Sequence, residues 1–349
     1  MEGYGPKRDR ATTEEVRPPL SRGQAFKIGG DTEYGSPVTV SHGLLFVEGT
    51  RRLHALALDT GRERWRLNLP GFFLSPAVAG DRVFVRAESA QEGYLWALGV
   101  GTGRELWRFR FPRVGSSYDN IGGHVTSPVI AGGLVLVGAS RCLYALDAAS
   151  GEQRWAFDTQ APISSSAAVA DDTVYIADFA HLYAVDLETG TQSWRFDHPE
   201  SVSLFFAPIV AQDRVAITGY ETVYAVDRKS GDLLWSQVMP GEDLVPAAAA
   251  RDRIYCKSVN RLYALDRETG AIAWSYRAGD FVSLPAIAGE QLYVITRAQG
   301  KSQLRALRLT DGQEIWGVEQ SRLSNAAPVI AGGRVYVRTV DGQVLVYAS

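Results

Sequence analysis

The stretch RLYALDRETGAIAW (261–274) gains its meaning from two others, HLYAVDLETGTQSW (181–194) and CLYALDAASGEQRW (142–155). Each alternates β-branched or aromatic residues on both sides of an Asp-to-Gly turn, which is the signature of a hairpin. In such a turn an Asp side chain accepts backbone N–H groups, and Gly takes the positive φ that other residues resist. Asp147, Asp186, Asp227 and Asp266 keep the acid, whereas Ala57, Gly99 and Arg308 replace it. A set that loses members in this way is a local turn device rather than an array of catalytic carboxylates.

Seven tryptophans close the same phrase: Trp65, Trp107, Trp155, Trp194, Trp235, Trp274 and Trp316, at spacings of 42, 48, 39, 41, 39 and 42. Trp96 sits inside the second phrase and marks no repeat. A period near 40 with several short strands per unit points to a propeller; the 3.6-residue periodicity of helical repeats does not occur. Each unit offers four strands: an inner one after a proline-like turn (SPAVAG, 75–80), a second such as TVYIAD (173–178), the LYALD strand, and the Trp strand. One large aromatic per unit, at an equivalent place, serves to bury each sheet against the next.

Counting inner strands gives eight units rather than seven, at Pro37, Pro76, Pro128, Ala167, Pro208, Pro246, Pro285 and Pro328. The eighth stops after its third strand. Phe26 stands eleven residues before Pro37, as Trp65 stands before Pro76 and Trp274 before Pro285. Residues 24–29 are therefore expected to supply the missing outer strand, pairing an edge that would otherwise be exposed. The expected fold is all-β: an eight-bladed propeller of four-stranded antiparallel blades, with residues 1–22 a polar, flexible leader and 23–349 a single domain.

The totals narrow the function classes. A 349-residue chain that is 46% hydrophobic and 21% charged is globular, and a net charge of −3 with no basic run argues against a nucleic-acid partner. Cys142 and Cys256 form neither a CxxC pair nor a metal-ligand spacing and read as small buried hydrophobes. No run of about 18 apolar residues is present to span a bilayer. The first twenty residues lack the apolar stretch of a signal peptide. The expected compartment is the cytoplasm if the chain is complete, and the periplasm or another extracytoplasmic space if a signal or anchor belongs to it.

Through its LYALDxxTGxxxW and SPAVAGDRVFV-type units the chain resembles the PQQ-like β-propeller superfamily over roughly residues 24–349. That superfamily includes quinoprotein alcohol and glucose dehydrogenases, BamB-type propellers of the outer-membrane assembly machine, and sensor domains of membrane-anchored bacterial kinases. The eight blades and single-domain length are most similar to BamB, for which the resemblance implies a non-catalytic scaffold binding a partner protein through one face. The chain departs from the dehydrogenases in lacking a vicinal cysteine pair and a compact carboxylate/amide cluster, and from BamB in lacking a lipobox cysteine.

Variation in length concentrates on one face, where connections from strand four to the next strand one lie beside those from strand two to strand three. Long examples are PRVGSSYDNIGGHVTS (112–127), HPESVSLFF (198–206), AESAQEGY (87–94) and RAQGKSQ (297–303). Insertions gathered on one face mark the binding side of a repeat protein. The expected partner-binding residues are Phe72, Phe73, Tyr118, Asp119, Asn120, His124, Phe205, Phe206, Asp243 and Phe281. Each phenylalanine also fits packing beneath the loops. A small ligand at the channel mouth, held by Glu33, His124, Glu242, Asp243 and Asn325, is the alternative site.

No GxSxG, HExxH or phosphate-cradling glycine loop occurs, and the five histidines (42, 54, 124, 181 and 198) fall at unrelated places. The expectation is a non-enzyme without cofactor or metal. It is a protein-interaction scaffold with a protein partner, in a membrane-associated complex. The alternatives are a ligand-sensing propeller of a membrane-anchored kinase or receptor, and a quinone-binding (PQQ) oxidoreductase-like protein.

Overall fold

The structure is a computed structural model that describes residues 10–28, 36–49, 51–69, 72–88, 92–112, 126–163, 165–199 and 206–349. Eight antiparallel sheets follow one another along the chain, as the inner-strand count requires. Blade four shows the plan: Ala168–Ala170 innermost, then Thr173–Ala177, His181–Asp186 and the outer Gln192–Asp197. The small inner residues permit close approach at the axis, and Ala168 and Ala170 are buried there.

The turn phrase builds the joint between blades. In blade four Asp186 Oδ1 accepts from Glu188 N at 3.1 Å, Thr189 N at 2.8 Å and Thr189 Oγ1 at 2.8 Å. These bonds, from Thr189 above all, hold the Asp186 carboxyl below the usual carboxylate range. The turn ends at Gly190 with φ 73°, and a Cβ there would come within 2.7 Å of the Trp155 ring of blade three. Trp155 Nε1 donates to Leu187 O at 2.9 Å. The repeated glycine is therefore required twice, for its φ and for the indole stacked on it. The same indole-to-carbonyl bond joins Trp65 to Val100, Trp107 to Ala148, Trp194 to Arg228, Trp235 to Arg267 and Trp274 to Leu309.

The ring closes in blade eight. Ser21–Lys27 pairs antiparallel with Gln343–Ala348, and Phe26 stands opposite Val344. Phe26 is buried and takes the tryptophan's place, with its ring under Gly61 of blade one. The strand begins three residues before the expected position, and Ile28 N donates to Gly342 O at 2.9 Å just beyond its end.

Residues 10–20, polar in composition, are packed rather than free. Ala11–Thr12 lies parallel to the inner strand Ala286–Ala288 of blade seven, with Ala11 opposite Ile287. From there the segment crosses the face of the Asp turns toward blade eight. Gly333 N donates to Glu14 Oε2 at 2.8 Å, Tyr293 Oη donates to Val16 O at 2.6 Å, and Ser349 Oγ donates to Arg17 O at 2.8 Å. Val16 and Leu20 are buried in the apolar cluster between blades seven and eight. Two well-spaced apolar residues and backbone groups that must be paired suffice to dock the strap, and its average polarity conceals them.

Candidate functional site

The mouth face is organised by the ends of the second strands. Arg338 of blade eight donates to Ser36 O at 2.8 Å, Glu48 O at 2.9 Å and Glu48 Oε1 at 3.1 Å. Arg86 of blade two donates to Glu88 Oε2 at 2.5 Å, to Thr126 Oγ1 at 3.2 Å and to Gly138 O. Lys257 of blade six donates to Phe281 O at 2.9 Å, and Arg297 of blade seven to Leu323 O at 2.9 Å. Burial lowers the Lys257 pKa, while nearby Asp243 opposes that shift. These cations tie each blade to the connection entering the next, so at four junctions the charge at the mouth is structural.

Asp178 of blade four is wholly buried and accepts from Ala180 N and His181 N, each at 2.8 Å, from Tyr183 Oη at 2.9 Å and from Ala161 N at 3.0 Å. His181 Nδ1 lies 3.0 Å from Asp178 Oδ1. This carboxylate organises the two connections at the blade's edge. Glu242 is engaged in a similar way, accepting from Tyr263 Oη at 2.7 Å.

The expected site residues divide. Tyr118, Asp119, Asn120, His124, Phe205 and Glu33 lie outside the described residues. Phe72–Phe73 forms a short strand opposite Glu88 and Ala87, a fifth strand on blade two. Phe206 and Asp243 are exposed on the mouth face, and Asn325 Oδ1 lies 3.5 Å from Arg297 Nη2. Phe281 is only 2% exposed and faces Tyr276 at 6.2 Å between blades six and seven. Its backbone pairs with Thr296, which turns the ring into the core and away from any partner.

The surface presents other residues instead. Of the eight large hydrophobic residues exposed among the described residues, all but Leu106 lie on blades five and six: Phe206, Tyr220, Leu233, Leu234, Val238, Val259 and Ile272. Tyr220 and Val259, 59% and 60% exposed, occupy the strand two-to-three connections of these neighbouring blades. Their backbones are fixed from below: Leu244 N donates to Tyr220 O at 3.1 Å, and Phe281 N donates to Val259 O at 2.6 Å. Loop length singles out neither residue. A sequence reading could have found Tyr220 and Val259 only by noting apolar residues in turns that otherwise carry Gly, Ser, Asp and Asn.

A family model described as outer membrane protein assembly factor BamB matches residues 13–141, 91–243 and 219–349, three overlapping spans that together run the length of the ring. The chain belongs to that family. No curated protein matches the sequence. Among solved structures, BamB from Moraxella catarrhalis is 19% identical at a TM-score of 0.72, with 95% of this chain and 98% of that chain covered. Quinohemoprotein alcohol dehydrogenase from Comamonas testosteroni is 13% identical at 0.75, covering 98% of this chain and 79% of that one. A europium-containing methanol dehydrogenase is 12% identical at 0.74, covering 100% and 97%.

This BamB-family chain thus shares its fold with assembly factors and with quinoprotein dehydrogenases alike. The expectation of a non-enzyme is corrected by these likenesses, because dehydrogenases are built on the same ring. Its ground, the lack of local hydrolase and metalloprotease motifs, does not bear on dehydrogenase chemistry. Among the described residues no group of three or more His, Cys, Asp or Glu is placed to hold a metal ion, and no helix is long and apolar enough to cross a membrane.

Proposed function

We propose that the protein recognises a partner protein through the mouth face over blades five and six, as an assembly-factor propeller working outside the cytoplasm. The observation that carries this reading is the exposure of Tyr220 and Val259 on the strand two-to-three connections of adjacent blades, with Phe206 exposed on the same face and Val238 at the mouth end of blade five's outer strand. Apolar side chains on a fixed backbone beside a polar rim make an interface centre, because little ordering entropy is lost on binding. Glu221, Glu242 and Asp243 supply that rim, with Gly241 N donating to Glu221 Oε1 at 2.9 Å. The family model's description, an assembly factor of outer-membrane proteins, supports both the partner class and the compartment.

The test is photo-cross-linking in the native host from a reactive residue at 220, with position 188 on the opposite face as control. A discrete partner adduct at 220, lost when Val259→Glu is added, is the expected result. Equal adducts at both positions, or none, would sink the reading.

A second reading is a quinone-binding oxidoreductase, favoured by the dehydrogenase likenesses. Pyrroloquinoline quinone is a tricarboxylate and needs cationic donors with free valence. Among the described mouth cations Arg86, Arg297 and Arg338 are engaged with protein oxygens through their terminal nitrogens, whereas Lys257 donates only to Phe281 O and keeps N–H groups for a carboxylate. Titration with the quinone and Ca²⁺, followed by tryptophan quenching, decides it: saturable binding supports this reading, and a flat titration removes it.

A further inference from the structure

Among the described residues the eight outer strands each leave a backbone edge unpaired by the ring, and seven of them bear charges. They read ERWRLN (63–68), ELWRFR (105–110), QRWAFD (153–158), QSWRFD (192–197), IAWSYR (272–277), EIWGVE (314–319) and, at the seam, SRGQAFK (21–27). Blade five alone is different: Leu233–Val238 reads LLWSQV, with no charged residue. Charge on an edge strand is the common guard against another strand pairing there. This edge has lost it.

The unguarded edge is otherwise a regular strand. It pairs with Thr222–Asp227 in register from Thr222 opposite Val238 to Ala225 opposite Trp235. Trp235 turns inward and is buried, while Leu234, Ser236 and Val238 alternate on the exposed side; Leu233, beyond the bulge, is exposed as well. At its mouth end the strand runs into Met239, whose N–H donates to Glu221 O at 2.7 Å, so the edge continues into the Tyr220 patch.

We propose that this edge receives, by strand addition, a neutral extended segment of the partner chain with apolar side chains at alternate positions. The inference rests on the mouth-face reading and specifies the chemistry of the partner. Backbone groups along the edge supply the hydrogen bonds of a new ladder, and alternate side chains supply selectivity. On the exposed side an incoming strand meets Leu234 and Val238 with the small Ser236 between, a spacing that takes apolar residues two apart. A charged segment would lose hydration there and find nothing to pair with. The other edges would oppose a neutral apolar strand with their Arg, Glu, Asp or Lys.

The probe is a fluorescent nine-residue peptide of alternating Thr and Val, with two controls: Lys at every Val position, and N-methylation of alternate backbone amides. Anisotropy against the full chain should show saturable binding of the first and none of either control. Leu234→Lys, at an exposed position that leaves the melting temperature unchanged, should weaken binding about tenfold or more. Equal binding by Leu234→Lys overturns the proposal. So does absence of peptide binding, or a dimer of the chain that dissociates in Leu234→Lys, which would make a second copy the occupant. A cross-linked partner at 220 that survives Leu234→Lys, with no peptide binding, removes strand addition and leaves the mouth-face reading standing. Peptide binding without any partner at 220 does the reverse.

Discussion

Two kinds of joint hold the ring together. At six junctions, from blade one to blade seven, an indole lies under the next blade's turn and donates to its carbonyl. The two junctions at blade eight have no such clamp among the described residues. Blade eight offers Trp316 no strand three-to-four hairpin turn, since its outer strand is Ser21–Lys27 rather than a continuation of its third strand. Its outer strand offers Phe26, whose ring has no N–H to donate. Other devices stand in. Between seven and eight, the strap buries Val16 and Leu20 in the cluster that also contacts Trp316, and Trp316 meets Tyr347 edge-to-face at 6.1 Å. Between eight and one, the Phe26 ring lies under Gly61, and buried Arg338 bridges to Glu48 and Ser36 as Arg86 and Lys257 bridge two of the clamped junctions. The contrast teaches that a repeat can be uniform only where the chain is continuous. Where it begins and ends, closure needs contacts the repeat does not encode.

The largest expected break in this contrast comes from cutting a regular clamp. Trp194→Ala should cost about 3–5 kcal/mol, the usual loss for a buried large aromatic. Trp316→Ala, half-buried and without the carbonyl bond, should cost less than half as much, as read by denaturant midpoints. Equal losses would mean that the seam carries a clamp like the others.

Acid should act next, and on the regular joints first. The Asp147, Asp186, Asp227 and Asp266 carboxyls sit below their ordinary range, Asp147 chiefly through Arg154 and Asp186 and Asp227 through turn hydrogen bonds. For Asp266, burial opposes the lowering that its Thr269 and Glu268 bonds produce. A carboxylate whose folded pKa is depressed contributes stability that is complete above its unfolded pKa, about 3.9, and is lost as pH falls through the folded value. Melting temperature should therefore fall below about pH 4, and the fall should be smaller in Asp186→Asn than in the parent. Amide exchange should show the turns of blades three to six opening before the seam.

The smallest effect is a gain. Phe26→Trp places an indole N–H within the register that elsewhere reaches the residue after the turn's first position, here Leu58. A new hydrogen bond there should add about 1 kcal/mol and raise the denaturant midpoint. No gain would show that the looser packing of Phe26 on Gly61, where a Cβ added to the glycine would lie 3.5 Å from the nearest ring carbon against 2.7 Å at Gly190, leaves the indole out of reach.

Much of this architecture was legible before any coordinates. The Trp period, the Asp-to-Gly turns and the eleven-residue offset of Phe26 each act over a few residues, so a linear reading captures them. The strap was not legible, because its docking depends on Val16, Leu20 and Glu14 meeting blades seven and eight some 270 or more positions later. The candidate site was legible only as a face. The expected set took in Phe281 as an aromatic entering an inner strand, which a short pairing with Thr296 turns inward, and passed over Tyr220 and Val259 in ordinary-length turns.

By itself the sequence determined the number of blades, their strand order and the way the last one is completed, since all three follow from local periodicity and turn chemistry. Tertiary structure alone decided which apolar residues reach solvent, which cations are already paired, and how the start of the chain braces the seam. Exposure and pairing are properties of neighbours brought together across the ring, and a repeat of about forty residues says little about which of its copies will be left uncovered.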